Sequence, residues 1–151
     1  MTDPVSRSVK ILMAEDDDDD FLLAQKALSE ARLLNEFFRV KDGEELMDYL
    51  LHRGAYSDCQ KAPAPLLILL DLNMPKKDGR ECLKEIKSNP ALRNIPVVVL
   101  TTSKSEEDVL KSYDLGVNSF IRKPVTFQGL VDIMTAIKHY WLNVVTLPPS
   151  N

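Results

Sequence analysis

Cysteine and histidine are scarce in this sequence, with two of each in 151 residues. Cys59 and Cys82 stand far apart, form no C-x-x-C pair and have no histidine at the spacing of a zinc ligand. Neither a zinc site nor a redox pair is indicated, and two reduced thiols are expected. His52 and His139 are isolated from each other and from any serine or cysteine, so no nucleophilic triad is indicated either.

Long apolar runs and an excess of positive charge are also absent. No apolar run approaches the roughly 20 residues that cross a bilayer, and the N-terminal MTDPVSRS lacks the apolar segment of a secretory signal. The chain carries 23 acidic against 19 basic residues, whereas nucleic-acid-binding modules present a basic face. We therefore expect a cytoplasmic protein of one compact domain that binds neither membranes nor nucleic acid.

Short apolar runs alternate with amphipathic segments along the chain, a pattern typical of a parallel sheet covered by helices on both faces. LLILLDL and VVVLT are almost continuously apolar, as expected for central strands. Five strands are predicted, numbered β1 to β5 in chain order: Val9 to Ala14, Phe37 to Val40, Leu66 to Leu72, Val97 to Thr101 and Ser119 to Arg122. Five helices, α1 to α5, are predicted between and after them: Asp20 to Ala31, Gly43 to Leu51, Gly79 to Ser88, Ser105 to Leu115 and Thr126 to Leu142. The segment from Gly54 to Pro65 is predicted to be an irregular surface loop, because its prolines forbid a regular helix or a central strand.

Charged or hydroxyl side chains stand at the ends of four predicted strands: Glu15 and Asp16 after β1, Asp71 in β3, Thr101 in β4 and Lys123 after β5. In an open parallel sheet, ligands bind in the crevice outside the carboxyl ends of the strands. Adjacent strands lie about 4.8 Å apart, so carboxylates that end β1 and β3 reach a common ion if these strands are neighbours.

Carboxylates gathered in one crevice repel each other, and a hard divalent cation relieves that repulsion. Mg²⁺ fits best, because it binds through one or two carboxylates together with phosphate oxygens. With the metal bound, Asp71 can act as a nucleophile toward phosphorus, while Lys123 and the metal neutralise the phosphoryl charge. An unpaired buried carboxylate at Asp71 is otherwise costly.

The acidic row AEDDDDDF, Ala14 to Phe21, has three interpretations: an unfolded acidic tract, a solvated segment or a cation site. The matching strand ends favour the cation site for Glu15 and Asp16. A solvated first turn of α1, where acidic residues suit the helix dipole, is favoured for Asp17 to Asp20. Asp17 lies close enough to the crevice to tune access to it.

The segments AEDD, LLILLDLNMPKKDG, VVVLTTS and NSFIRKP together resemble the receiver domain of two-component response regulators, from β1 to α5. More narrowly, KSEEDVLKSYDLGVNSFIRKP followed by HYWLNVVTLP looks like the small response regulators that partner cyanobacterial phytochromes. The resemblance implies an α/β fold of the flavodoxin-like type, a doubly wound (βα)5 parallel sheet with strand order 2-1-3-4-5. It also implies a single receiver domain over 1–151, with a core of about 9–142 and an apolar tail at 143–151.

The resemblance assigns roles to the residues at the strand ends. Asp71 would be the phosphoacceptor, Asp16 a direct Mg²⁺ ligand and Glu15 a ligand through water. The backbone carbonyl of Asn73 would complete the protein's share of the coordination, and Lys123 would pair with the phosphoryl group.

The resemblance also implies a switch. Thr101 would lend its hydroxyl to a phosphoryl oxygen, and Phe120 would turn into the space that Thr101 leaves, remodelling the surface of α4, β5 and α5. Pro124, after Lys123, matches a position where the peptide bond is typically cis. Thr102 departs from the smaller residue that many receivers carry there.

The implied function is that of a stand-alone response regulator, not an enzyme beyond its own phosphotransfer and autodephosphorylation. It would accept a phosphoryl group from a sensor histidine kinase, a phytochrome by resemblance, and signal through the α4-β5-α5 surface. Apolar residues at the end of the chain would either fold back on the domain or form a patch for association, and the resemblance to phytochrome-linked regulators favours a homodimer through this surface and the tail.

Two alternatives stay open at this stage. A phosphohydrolase of the haloacid dehalogenase type also uses a strand-end aspartate with Mg²⁺, but it needs a second aspartate where Asn73 stands, and a larger chain. A constitutive interaction module would not need the complete set of Asp16, Asp71, Thr101 and Lys123.

Overall fold

The structure is a computed structural model that describes residues 10–32, 36–58, 62–65, 67–72, 74, 76–77, 79–101, 119–122 and 126–139. For 101 and 119–122 it describes the backbone alone. The five strands are β1 Lys10–Ala14, β2 Glu36–Val40, β3 Leu67–Asp71, β4 Val97–Thr101 and β5 Ser119–Arg122. They form one parallel sheet in the order β2-β1-β3-β4-β5. The predicted doubly wound fold and its strand order are confirmed.

The helices of the described part are α1 Asp18–Glu30, α2 Gly43–Leu51, α3 Gly79–Ser88 and α5 Phe127–Ile137. The bounds of α2 and α3 are those predicted. The predicted start of α1 at Asp20 is wrong by two residues, because Asp17 caps the helix by accepting a hydrogen bond from the Asp20 amide at 2.9 Å. The α-helical part of α5 ends at Ile137, five residues before the predicted end, and Lys138 and His139 continue it as a wider π-helical turn. The predicted α4 and the apolar tail lie outside the described residues.

Side chains alternate between the two faces of the sheet, so each face has its own core. Along β1, Ile11 and Met13 belong to one cluster, and Leu12 and Ala14 belong to the other. The first cluster includes residues of α1 and α5, and the second includes residues of α2 and α3. The sheet is therefore covered on both faces, which leaves the carboxyl ends of its strands as the open edge.

The loop that follows α2 is more ordered than predicted. Gly54–Tyr56 forms a short 3-10 helix. The loop is also tied to α2, because the Tyr49 hydroxyl donates to the carbonyl of Pro63 at 2.9 Å and His52 Nε2 lies 2.9 Å from the carbonyl of Ala62. None of the helices in the described part is long and apolar enough to cross a membrane.

Candidate metal and phosphoryl site

The register of the central strands brings two acidic residues to the same edge. Ala14 of β1 pairs with Leu70 of β3, and the next residues along the chain are Glu15 and Asp71. Asp71 also pairs with Leu100 of β4, and Thr101 follows. The strand neighbours that the cation hypothesis required are therefore present.

Glu15, Asp16 and Asp71 form an acidic cluster in which one carboxylate oxygen from each residue lies within 4.8 Å of the others. Glu15 is fully buried and Asp71 is 3% exposed, whereas Asp16 faces solvent. Two buried carboxylates and one exposed carboxylate offer hard oxygen ligands, and a cation can reach them from the side of Asp16. This donor set fits Mg²⁺ or Mn²⁺ better than a soft metal, because carboxylates suit hard cations.

The loop between β1 and α1 is held by hydrogen bonds that its backbone amides donate. The Glu15 amide donates to the carbonyl of Val40 at 3.0 Å, and the Asp17 amide contacts Glu15 Oε2 at 3.3 Å. The side chain of Asp17 caps α1, and Asp18, Asp19 and Asp20 form its first turn. Two residues of the acidic row thus lie in the cluster and the rest lie at a helix start, while the metal roles of Glu15 and Asp16 stay predictions.

The chain after β3 turns back sharply, and two glycines permit it. A Cβ on Gly79 would lie 2.8 Å from the carbonyl oxygen of Asp71, and the Gly79 amide donates to the carbonyl of Leu72 at 3.1 Å. A Cβ on Gly43, at the start of α2, would lie 1.9 Å from the carbonyl oxygen of Lys77. These close approaches fix the segment that follows Asp71 against two helix starts.

Arg39 in β2 is a residue near the site that sequence reasoning missed. Its Nε donates to the backbone carbonyl of Glu15 at 3.0 Å, and its Nη1 pairs with Asp18 Oδ1 at 2.8 Å. The hydrogen bond from Arg39, with the positive charge of Lys41, holds the pKa of Asp18 below its usual value. The one sequence signal was a charged residue inside the otherwise largely apolar strand EFFRV.

The remaining predicted residues are described in part or not at all. Thr101 is the last residue of β4 and pairs with Arg122, and Phe120 pairs with Val99; the structure gives the backbone alone for both predicted switch residues. Asn73, Lys123 and Pro124 lie outside the described residues, so the metal role of Asn73, the ion pair of Lys123 and the cis bond at Pro124 stay predictions.

Comparison with known proteins identifies the family. Residues 11–135 match the family model of the response regulator receiver domain. The chain belongs to this family. The receiver resemblance drawn from the sequence motifs is thereby confirmed, and the family favours a receiver over a phosphohydrolase.

The individual relatives agree with this. The chain is 45% identical to the response regulator Rcp1 of Synechocystis sp. over 150 residues, which are 99% of this chain and 100% of Rcp1. The phosphorylated cyanobacterial phytochrome response regulator RcpA has a similar structure, with a TM-score of 0.82 and 48% identity over 94% of this chain and 99% of that one. The Mn²⁺-bound form of Rcp1 superposes with a TM-score of 0.79 at 46% identity, over 93% of this chain and 99% of that one. The predicted similarity to phytochrome response regulators is confirmed.

Proposed function

We propose that this receiver accepts a phosphoryl group on Asp71 from a phosphohistidine of a sensor histidine kinase, in a reaction that depends on Mg²⁺. The observation that carries the proposal is the acidic cluster of Glu15, Asp16 and Asp71 at the carboxyl edge of the sheet. A phosphorylated RcpA and a Mn²⁺-bound Rcp1 among the similar structures support both halves of it.

Asp16 and Asp71 would hold the metal directly, with Glu15 and the backbone carbonyl of Asn73 completing the protein's share. The bound cation supplies positive charge that offsets the carboxylates and the phosphoryl oxygens. Asp71 is buried, and its carboxylate lies beside those of Glu15 and Asp16, where it can share a cation with them.

The phosphotransfer needs little covalent work from the protein. An oxygen of the Asp71 carboxylate forms a bond to phosphorus while the phosphorus–nitrogen bond of the phosphohistidine breaks, and the electron pair of that bond stays on the imidazole. Lys123 counters the charge of the phosphoryl oxygens, and the hydroxyl of Thr101 donates to one of them. Water later attacks the same phosphorus, the bond from phosphorus to the Asp71 oxygen breaks with its electron pair left on the carboxylate, and inorganic phosphate leaves, which is the autodephosphorylation expected of a receiver.

The new group then acts as the switch. A phosphoryl group adds about −1.5 to −2 charges and three strong acceptors. It draws Thr101 toward Asp71, on the neighbouring strand, and Phe120 on β5 occupies the space that is left. The α4-β5-α5 surface is therefore the signalling surface, and it shifts in population between two states. A homodimer through this surface and the C-terminal tail is the form in which we expect the signal to be read.

The partner kinase is proposed to be a phytochrome, because the similar proteins include Rcp1 and a phytochrome response regulator. Three large apolar side chains are exposed in the described residues: Leu22, Leu23 and Phe127. Leu23 and Phe127 rim a cavity of about 110 Å³ that Glu15 also lines, between α1 and α5. A helix of the kinase that covers this apolar rim brings its phosphohistidine to the edge of the site. We expect the exchange to take place in the cytoplasm.

A transfer assay tests the proposal. A phytochrome histidine-kinase domain, labelled on its histidine, is mixed with the protein and Mg²⁺, and label on the protein is followed over time. Wild type and Asp19→Asn, which removes an exposed aspartate of α1, are expected to take up label, and Asp71→Asn is expected to take up none. Equal labelling of Asp71→Asn would contradict the proposal. Labelling from a non-phytochrome kinase alone would contradict the phytochrome assignment and leave the receiver assignment standing.

A further inference from the structure

Arg39 carries a largely buried guanidinium next to the proposed site for a divalent cation. It lies in β2, an edge strand, paired in register with Met13 of β1. Its side chain is 15% exposed, and its Nη2 atom is buried without a hydrogen-bond partner among the described residues. Burying a guanidinium costs free energy unless its contacts offset that cost, so its contacts indicate what it does.

The guanidinium makes three contacts at once. Nε donates to the carbonyl of Glu15 at 3.0 Å, Nη1 pairs with Asp18 at 2.8 Å, and the group lies over the ring of Phe21, 4.7 Å from its centroid. Phe21 is itself stacked on Phe37 at 5.1 Å. A planar fork of donors can satisfy these partners together, whereas a lysine ammonium, a point charge on a flexible stem, cannot.

The two polar partners flank a proposed metal ligand. Glu15 precedes Asp16 and Asp18 follows it after one residue, so Arg39 fastens the loop on both sides of Asp16. The hydrogen bond from the Glu15 amide to Val40 anchors the same loop to the same strand. Asp16 is exposed, and the residues on both sides of it are held in place by these contacts.

We propose that Arg39 is a positioning residue for divalent-cation binding: its fork holds the β1–α1 loop so that Asp16 and Glu15 meet Asp71. The inference rests on the proposed function, because it concerns the same metal site. The direction of the change in metal affinity distinguishes a positioning role from a role of charge alone. A guanidinium near the site repels a divalent cation, so a role of charge alone means that its removal tightens binding, whereas a positioning role means that its removal weakens binding.

The chain offers a matched control. Lys41, at the same end of β2, lies with its Nζ 3.8 Å from the same Asp18 Oδ1 that Arg39 contacts. Its side chain is 61% exposed, and the structure describes no contact between that side chain and Glu15. Arg39→Met and Lys41→Met therefore each remove one positive charge next to Asp18, and only Arg39→Met also removes a buried contact with the Glu15 carbonyl.

The test is the affinity for Mg²⁺, measured by calorimetry at one pH and ionic strength, and repeated with Mn²⁺ by electron paramagnetic resonance. Wild type is compared with Arg39→Met, Arg39→Lys, Lys41→Met and Phe21→Leu, and circular dichroism melts report folding. We expect Arg39→Met to bind about 10-fold more weakly or worse, in the range seen when a residue that orients metal ligands is lost. Arg39→Lys should fail to restore binding, and Lys41→Met should bind as wild type or slightly more tightly.

Phe21→Leu keeps every charge and removes the aromatic platform under the guanidinium, so it should weaken binding and serve as the readout if Arg39→Met does not fold. The proposal is overturned if folded Arg39→Met binds as tightly as wild type or more tightly, if Arg39→Lys binds as wild type, or if Lys41→Met is weakened equally. Unchanged affinity in Phe21→Leu, when Arg39→Met does not fold, also overturns it. Failure of wild type to bind Mg²⁺ contradicts the proposed function itself, which is a different result from equal binding by all variants.

Discussion

The buried carboxylates of Glu15 and Asp71 lie close together because each follows one member of the strand pair Ala14 and Leu70. Asp71 ends its strand, whereas Glu15 is the first residue of the β1–α1 loop and is tied to β2 through its amide and its carbonyl. Asp16 completes the cluster from the exposed side. The proposed metal site therefore combines a strand-end ligand with ligands from a loop that hydrogen bonds attach to the sheet.

Mg²⁺ is expected to stabilise the folded protein. A ligand that binds the folded state alone adds about 2.7 kcal/mol to the free energy of unfolding at 100 times its dissociation constant. Urea unfolding with and without Mg²⁺ should show this gain in wild type and in Asp19→Asn, and little of it in Asp16→Asn or Asp71→Asn. A gain of the same size in Asp71→Asn would argue against the cluster as the metal site.

Gly43 is expected to be intolerant of any side chain. Gly43→Ala places a methyl group 1.9 Å from the carbonyl oxygen of Lys77 and 2.8 Å from the Sγ of Cys82, so backbone must move. We expect a loss of about 3 kcal/mol or more in the free energy of unfolding. Because the displaced segment follows Asp71, Mg²⁺ affinity should fall as well.

The adjacent Glu44→Ala is the control for Gly43→Ala. Glu44 is exposed in the first turn of α2, and its replacement should change the unfolding free energy by no more than about 0.5 kcal/mol. Similar unfolding curves for the two variants would show that the close approach of α2 to the Lys77 carbonyl is not needed.

Stability is expected to decline at alkaline pH through two tyrosines. Burial, with the negative charge of Glu36, raises the pKa of Tyr49 to about 12. Burial first, and then a hydrogen bond to Glu45, raises the pKa of the Tyr56 hydroxyl even further. Both phenols keep their protons to a higher pH in the folded state than in the unfolded state. Their contribution to the free energy of unfolding is therefore fully present below the unfolded pKa of 10.0 and is lost as pH rises above it.

Urea unfolding should show a constant contribution from the two tyrosines between neutral pH and the onset of tyrosine ionisation. At higher pH the free energy of unfolding should fall. Tyr56→Phe should flatten that fall, because the variant has no phenol to titrate. Tyr140 lies outside the described residues, and Tyr140→Phe shows how much an arbitrary tyrosine contributes. Equal flattening by both variants would contradict the role given to the Tyr56–Glu45 contact.

The sequence was sufficient for the sheet and for the acidic cluster. Strands such as LLILLDL are continuously apolar and bounded by turn residues, and once β1 and β3 are neighbours, the residues after them must meet. The start of α1 was wrong because five successive aspartates can each cap a helix, and the choice of Asp17 depends on the path of the chain in three dimensions. Arg39 was missed for a similar reason: its partner is the backbone carbonyl of Glu15, 24 residues away, and a backbone atom leaves no mark in a sequence. The domain limits of 1–151 stay a prediction.

Direct mapping of the phosphorylated residue tests the central claim most sharply. The protein is phosphorylated by the kinase in the presence of Mg²⁺, the acyl phosphate is reduced with borohydride, and the modified residue is located by mass spectrometry of peptides. The account predicts reduction at Asp71 in wild type and none in protein treated without Mg²⁺. Modification at Asp16 or another carboxylate, with Asp71 intact, would contradict it.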